Sequence, residues 1–366
     1  MRSTRPPEAV GATSAAVRFA HRPVGKAGLA AALLLIGLAG SIMLATALGQ
    51  VAVPPGEIFA VIGRNLSGQG AAAADPGMLL NQQIIWQLRL PRVLLTALVG
   101  AALAMAGAVL QGVVGNPLAD PFVIGVSSGS SLGAISVMAL GSTALAGLGV
   151  SAAAFVGALL TLLLLVFLAQ RSGKLSGYRI VLAGVALGQA AMAGTTLIQL
   201  HVDPAQVRGI LFWMLGSTAG ATWSQLPVLA VVTGITALFL VARSRQLNAL
   251  ALGDDDAVAL GINVNSLRWQ LLVASALLTA VAVTVAGAVG FVGLIIPHGL
   301  RMLGFSDYRK LLPLSLAGGA IFLVLIDLAS RLIDPPNEYP LTIFTAALGT
   351  PFFLWLLRTR KEERAV

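Results

Sequence analysis

Long apolar segments alternate with short polar ones along nearly the whole chain. A helix of about 20 apolar residues, rising 1.5 Å per residue, crosses the hydrocarbon core of a bilayer. The pattern therefore predicts an all-α polytopic membrane protein with ten transmembrane helices. The ten segments are 27–48, 93–113, 122–140, 148–169, 180–200, 226–242, 267–289, 291–303, 311–333 and 341–357.

Composition agrees with this pattern and excludes several chemistries. The 366 residues have a mean hydropathy of +0.90 and include 41 glycines, which is typical of closely packed membrane helices. The chain has no cysteine, so disulfides and cysteine metal sites are excluded. The three histidines, His21, His201 and His298, lie far apart, and we expect neither a metal nor a cofactor.

Basic residues predict the orientation in the membrane. Residues 1–26 form a basic tail, and residues 27–366 follow as one transmembrane domain. If the tail is cytoplasmic, 18 of the 23 lysines and arginines fall on the inner side, as expected for an inner-membrane protein with both termini in the cytoplasm. The net charge of +9 then reflects topology rather than nucleic-acid binding. A cleaved signal peptide is the alternative for the first segment, but that segment exceeds the usual 7–15 apolar residues.

Residues 246–263, here called the aspartate loop, contain the most acidic run of the chain. Three aspartates at the bilayer centre would cost about 8–10 kcal/mol, so the loop lies outside the membrane, and the charge bias puts it in the cytoplasm. Two short helices are expected, with Gly253 ending the first, Asp254 capping the second and Gly261 ending it. Candidate residues for binding a partner protein are Leu252, Gly253, Asp254, Asp255, Asp256, Ala257, Leu260 and Gly261.

Two alternatives apply to this loop. A well-capped, solvated connector would show the same turn residues. A metal site is disfavoured, because three successive helical residues point in different directions and no EF-hand spacing follows. A small apolar surface on the second helix, with Val258 and Leu260 beside Ala257 and Ala259, favours a protein partner.

Small residues mark one face of the third segment. Gly125, Gly129 and Gly133 are spaced by four, which favours close helix packing over a substrate path, although both can hold together. Asn116 and Pro117 interrupt apolar sequence, so this connection must be buried in protein or face the cytoplasm. The candidate path residues are Gln111, Asn116, Ser127, Ser128 and Gly129.

A weak internal repeat divides the chain at the aspartate loop. The sequence AGAV at 106–109 recurs at 286–289, and Pro117 recurs at the same offset as Pro297. The first copy is predicted on a helix running inward and the second on one running outward, which is the arrangement of an inverted repeat.

Charged residues near the outer ends of the helices have two interpretations. Asp327 and Arg331 lie one turn apart, which predicts an ion pair. Arg331 can also join Arg89 and Arg92 in a basic set that attracts an acidic soluble partner, with interfacial anchoring as the alternative. His298 is expected to be a structural, hydrogen-bonded residue.

The energy source is predicted to lie outside this chain. The sequence contains no GxxxxGK[ST] loop for ATP, and its helices carry few acids for ion coupling. A separate motor acting on the aspartate loop fits better than the rival classes, which are an autonomous secondary carrier and an intramembrane enzyme.

Several motifs together resemble one family. They are RLPR at 89–92, GAALAMAGAVLQGVVGNPLADP at 100–121, GVSSGSSLGA at 125–134, LALGDDDAVALGI at 250–262 and GFVGLIIPHGLR at 290–301. They resemble the FecCD-type permeases of bacterial ABC importers, and the resemblance extends over nearly all of the chain after its basic tail.

The resemblance implies a type II ABC importer permease, a transport subunit without enzymatic activity of its own. Its implied partners are a second copy of the permease, two ABC ATPase subunits and a periplasmic binding protein. The implied cargo is an iron(III) siderophore or haem, with cobalamin as the alternative. Residues 253–261 match the coupling helices that contact the ATPase, and Arg89, Arg92 and Arg331 match arginines that meet glutamates of the binding protein.

The chain departs from the family pattern at two places. Asp254 begins a run of three aspartates where the family has fewer acids, which leaves the coupling role intact. The acidic stretch 334–339 replaces a more apolar outer turn, and its acids are expected to weaken the attraction of the nearby Arg331 for an acidic partner.

Overall fold

We describe the protein from a computed structural model that covers residues 25–68, 76–141, 149–171 and 174–359. Most of the predicted basic tail lies outside these residues. The helices are α1 (Gly25–Ala47), α2 (Pro55–Leu66), α3 (Pro76–Gln82), α4 (Leu90–Val114), α5 (Val126–Leu140), α6 (Val150–Ala169), α7 (Gly177–Gln199), α8 (Pro204–Leu215), α9 (Leu226–Ala242), α10 (Ser244–Leu250), α11 (Asp254–Ala259), α12 (Val264–Ala286), α13 (Val292–Met302), α14 (Tyr308–Leu332) and α15 (Leu341–Thr359).

Four shorter elements complete the described fold. A π-helical segment, Gln83–Arg89, joins α3 to α4, and a 3₁₀ turn, Pro121–Ile124, precedes α5. Strands β1 (Gln170–Arg171) and β2 (Lys174–Leu175) pair antiparallel between α6 and α7. Apart from this short hairpin, the regular secondary structure of the described chain is helical, which confirms the all-α part of the predicted fold class.

Each of the ten predicted apolar segments contains a helix, but not each helix is long enough to span a bilayer. Within the described ranges, six helices have the required length and hydropathy, and the bent pair α9 and α10 would make a seventh. The helix α5 has 15 residues and α13 has 11, which corresponds to about 16 Å for α13. The number of ten crossings therefore stays a prediction.

The centre of the bundle is α4, in which all but three of 25 residues are buried. It runs antiparallel to α14, since Arg92 contacts Asp327 at one end and Gly112 lies against Tyr308 at the other. Midway, a Cβ added at Gly100 would lie 2.2 Å from the carbonyl oxygen of Gly319. Glycine is required there because the two backbones touch.

The glycine face on α5 is used for helix packing. A Cβ at Gly129 would lie 1.8 Å from Oγ1 of Thr161 on α6, and one at Gly133 would lie 2.1 Å from the carbonyl oxygen of Ala153. Gly125, which precedes α5 at φ +76°, approaches α7 at Gly184. This is the packing interpretation favoured by the sequence, while a role for Gly129 in a path stays a prediction.

The short internal repeat does not mark equivalent structures. Gly107 lies in the middle of α4, whereas Gly287 follows the end of α12 with φ +68°. Pro117 lies in a turn, whereas Pro297 lies inside α13. The match is explained by composition, because Ala, Gly and Val are abundant throughout the chain.

Candidate functional site

Three predicted residues, Arg89, Arg92 and Arg331, lie together at the end of the bundle where α4 begins and α14 ends. With Asp327 and Glu338 they form what we call the arginine cluster. The arginines are only 7–8% exposed. The π segment, the first turn of α4 and the last turn of α14 position them, and the loop before α15 supplies Glu338.

Arg89 is bonded to backbone rather than to acids. It donates to the carbonyl oxygens of Thr46 at 2.8 Å and Ala47 at 3.1 Å, and also to that of Val51. The last carbonyls of a helix have no partner within the helix, so Arg89 caps α1. The sequence did not predict this bond, because its acceptors are backbone atoms about 40 residues away.

Asp327 is the acid around which the cluster forms. It is 1% exposed, and its Oδ1 accepts from Arg92 Nε at 2.9 Å and Nη2 at 2.8 Å. Its Oδ2 lies 3.2 Å from Arg331 Nε, which confirms the predicted ion pair one turn along α14. Thr218 donates a further bond to Oδ1 at 3.0 Å. These contacts offset the free-energy cost of burying the charges of Asp327 and the two arginines.

Glu338 completes the cluster on its exposed side. Its Oε1 lies 2.9 Å from Nη1 of Arg92. A cleft of about 450 Å³ is lined by all three arginines and Glu338. Three guanidinium groups against two carboxylates leave one positive charge in excess. All three arginines are therefore already bonded within this chain, and their docking to a binding protein stays a prediction.

At the other end of α4, the aspartate loop forms the two predicted short helices, α10 and α11. Gly253 has φ +130° and Gly261 has φ +78°, a region that favours glycine. The prediction that Asp254 caps α11 is wrong, because Gly253 occupies the capping position and the helix begins at Asp254 itself. The carboxylate of Asp254 instead forms two 2.8 Å bonds with Arg268.

The outer surface of the loop combines apolar and acidic side chains. Asp255 and Asp256 are exposed in the first turn of α11. The exposed apolar side chains around them are Leu252 at 69%, Val258 at 61% and Leu260 at 65%. Ala257, predicted to share this surface, is fully buried and anchors α11 to the fold. Exposed apolar side chains of this size are consistent with a protein-binding surface, and that role stays a prediction.

Polar bonds hold the aspartate loop against α14. Asn248 donates to Asp307 Oδ1 at 2.6 Å and accepts from the Tyr308 amide at 2.9 Å. Burial alone would raise the pKa of Asp307, but the bonds from Asn248 and the Arg309 amide and the nearby Arg309 and Lys310 charges lower it. Sequence reasoning missed these residues, although an aspartate directly before an apolar helix is a capping signal.

The loop is also tied to the hairpin between α6 and α7. Arg268, besides binding Asp254, donates to the Leu175 carbonyl at 3.3 Å. The side-chain oxygen of Asn265 accepts from the Leu175 amide at 2.8 Å. Polar contacts therefore connect α11 to the hairpin that precedes α7.

The candidate path residues are spread over different environments. Gln111 is 3% exposed, donates to the Gly293 carbonyl at 3.1 Å and accepts from Arg301. Asn116 is exposed, and its side chain accepts from the Leu118 amide. Ser127 is buried, whereas Ser128 is partly exposed close to α7. Their assignment to a translocation path stays a prediction.

Asp120 is a buried acid that the sequence analysis overlooked. It accepts from the amide of Phe122 at 2.8 Å and from that of Phe291, and so pins the connection between α4 and α5 to the start of α13. Burial raises its pKa to about 6, with these two bonds acting in the opposite direction. Among the described residues, no three His, Cys, Asp or Glu side chains are grouped closely enough to hold a metal.

Known proteins resemble the chain over most of its length. It is 42% identical to the vitamin B12 import system permease protein BtuC of Vibrio cholerae over 278 residues, which are 76% of this chain and 83% of that protein. It is 39% identical to BtuC of Salmonella schwarzengrund over 323 residues, 88% and 94% of the two chains. These relatives are transport components of import systems rather than enzymes.

A solved structure and a family profile give the same assignment. An inward-facing metal-chelate type ABC transporter superimposes with a TM-score of 0.78 at 31% identity, covering 91% of this chain and 99% of that one. The profile described as the FecCD transport family matches residues 33–359, which include both the arginine cluster and the aspartate loop. The chain belongs to the FecCD transport family of ABC importer permeases.

Proposed function

We propose that this chain is the membrane-spanning permease of an ATP-driven importer for cobalamin. Sequence analysis favoured an iron chelate as cargo, with cobalamin as the alternative. The alternative is now the better supported, because relatives at 42% and 39% identity, matched over 83% and 94% of their lengths, are both vitamin B12 permeases. This likeness is the observation that carries the proposal.

The exposed surface of the aspartate loop is proposed to bind the ATPase. Two negative charges beside three exposed apolar side chains suit a partner groove with an apolar floor and a basic rim. Asp254 takes part indirectly, because its carboxylate is engaged with Arg268 and sets the orientation of α11. ATP-driven movement of α10 and α11 then reaches α14 through Asn248 and α7 through Arg268.

The arginine cluster, at the opposite end of α4, is proposed to face the substrate-binding protein. Its excess positive charge and its cleft suit an acidic partner. The assembly would contain two copies of this chain and two ATPase subunits, and cobalamin would pass between the copies. The aspartate loop and both termini would then lie in the cytoplasm, as the distribution of basic residues predicts.

Uptake measurements test the cargo directly. Labelled cyanocobalamin, a ferric siderophore and haem are supplied one at a time to cells with and without this gene, each with and without depletion of ATP. We expect deletion to abolish only the ATP-dependent uptake of cyanocobalamin, and the wild-type gene to restore it. Loss of siderophore or haem uptake with cobalamin uptake intact would return the assignment to an iron chelate. Uptake that survives ATP depletion would indicate a secondary carrier.

A further inference from the structure

Arg92 has two acidic partners on different sides of its guanidinium group. Its Nε and Nη2 bind Asp327 at 2.9 Å and 2.8 Å, and its Nη1 binds Glu338 at 2.9 Å. Both pairs are charge-assisted and lie at ordinary hydrogen-bond distances. Asp327 and Glu338 therefore neutralise a guanidinium group that is almost completely buried.

The two acids differ in how easily their side chains can break contact with Arg92. Asp327 is 1% exposed, lies on α14 and also accepts from Thr218, so its removal would disrupt the cluster. The side chain of Glu338 is 32% exposed and belongs to the connection between α14 and α15. A change of its side-chain rotamer frees Nη1 of Arg92 without moving a helix. Arg89, by contrast, is held by backbone carbonyls at the end of α1, which cannot move aside as the Glu338 side chain can.

We propose that Glu338 is an internal competitor for the acidic partner. Its carboxylate occupies the position at Arg92 Nη1 that a carboxylate of the docking protein takes, so that docking exchanges one carboxylate for another. The inference rests on the proposed docking of a binding protein at the arginine cluster. It assigns to Glu338 a role in setting affinity, because each docking event must displace an existing ion pair.

The exchange has a physical advantage in the undocked state. An unsatisfied donor on a buried guanidinium group is costly, and Glu338 covers Nη1 of Arg92 until the partner arrives. Since the bond lost resembles the bond gained, the net gain in affinity is small, and the partner can leave after each transport cycle. The opposite role, in which Glu338 only orients Arg92 for docking, predicts the opposite sign for its removal.

Removal of the Glu338 charge separates the two roles. The permease with its ATPase is placed in lipid nanodiscs, and binding of the cobalamin-binding protein of the same import system and of a fluorescent hexaglutamate peptide is measured. We expect Glu338→Gln to tighten binding of both probes roughly threefold to tenfold, since the ion pair that the partner must displace is replaced by a weaker bond to a neutral amide oxygen. Unchanged or weaker binding would overturn the proposal.

Two further variants control this comparison. Asp334→Asn removes the same charge from the same connection, but Asp334 binds Asn337 and Tyr339 rather than Arg92. It should change the affinity less than twofold, and an effect as large as that of Glu338→Gln would mean that net charge alone is responsible. When Arg92→Gln is also present, Glu338→Gln should no longer increase the affinity for either probe. An increase that persists in the double variant would also overturn the proposed exchange.

The hexaglutamate peptide makes the test independent of the cargo. If the wild-type complex does not bind the cobalamin-binding protein, the proposed function fails, while the peptide still compares wild type with Glu338→Gln. If the peptide binds neither form, Arg92 is not open to an external carboxylate, and the competitor role of Glu338 is refuted.

Discussion

Replacing Gly100 with alanine tests the closest contact between the two main helices of the bundle. A Cβ at this position would lie 2.2 Å from the carbonyl oxygen of Gly319 and 2.8 Å from Cβ of Leu323. All of these atoms belong to helical backbone or begin a side chain, so no rotamer change relieves the clash. The helices α4 and α14 must move apart.

The expected cost follows from this distance. An ordinary contact between carbon and oxygen is about 3.4 Å, so the helices must separate by roughly 1 Å, which forfeits a quarter to a half of the attraction between the facing atoms. Overpacking of this kind costs about 1–3 kcal/mol. The better helix propensity of alanine returns about 1 kcal/mol. Taking the upper value for a clash with backbone, we expect a net loss of about 2 kcal/mol.

Thermal unfolding of the purified protein in detergent measures this loss. Tryptophan fluorescence is a suitable signal, because Trp86 and Trp223 lie 4.7 Å apart near the start of α4. We expect Gly100→Ala to lower the Tm by several degrees. The matched control is Gly40→Ala on α1, where an added Cβ meets no atom within 4 Å, and its Tm should stay the same or rise. If Gly100→Ala is as stable as Gly40→Ala, then α4 and α14 do not cross this closely.

Three other predictions concern acidic residues or the partner of one. Asp255→Lys combined with Asp256→Lys should abolish co-purification with the ATPase and leave membrane insertion, measured by cell fractionation, unchanged. Retained co-purification would contradict the proposed docking role of the aspartate loop. The pKa of Asp120 is raised to about 6 in the folded state, so its ionisation above pH 6 costs stability, and this cost is relieved as the pH falls from 7 to 4. Asp120→Asn should therefore raise the Tm most at pH 7.5 and lose this advantage toward pH 4; an equal effect at both values would contradict the burial argument. Because Asp254 is half exposed, Arg268→Gln should reduce the free energy of unfolding by less than about 1 kcal/mol, so the Tm should fall only slightly. In reconstituted vesicles it should nevertheless reduce the uptake per ATP hydrolysed. If this ratio is unchanged, Arg268 does not take part in the proposed transmission of movement.

Local patterns predicted much of what the structure contains. Apolar segments located the helices, and the glycines at 253 and 261 located the ends of two short helices in the aspartate loop. The ion pair between Asp327 and Arg331 followed from their spacing on one helix. Each of these features depends on residues within a few positions of one another, for which the helical period fixes the relative directions.

Contacts between distant segments could not be predicted in this way. Arg92 and Asp327 are 235 residues apart, and Asn248 and Asp307 are 59 apart. No local period brings either pair together, because each depends on how whole helices pack. The burial of Asp120 was overlooked for the same reason, since its donors include the amide of Phe291 from another part of the chain. The sequence could not decide the cargo either, because small and apolar side chains carry no readable code for one metal chelate over another, and only the likeness to vitamin B12 permeases favours cobalamin.

The antiparallel pair of α4 and α14 connects the two proposed docking surfaces. At one end Arg92 of α4 binds Asp327 of α14, and at the other Gly112 lies against Tyr308, whose amide is bonded to Asn248 of the aspartate loop. Between these ends the backbones touch, so the pair cannot bend there without losing contacts in a closely packed interior. In the proposed assembly, a load applied by the ATPase at Asn248 would be carried along this closely packed pair to the arginine cluster. Movement at one surface would then change the geometry at the other, as the proposed coupling of ATP hydrolysis to the release of the binding protein requires.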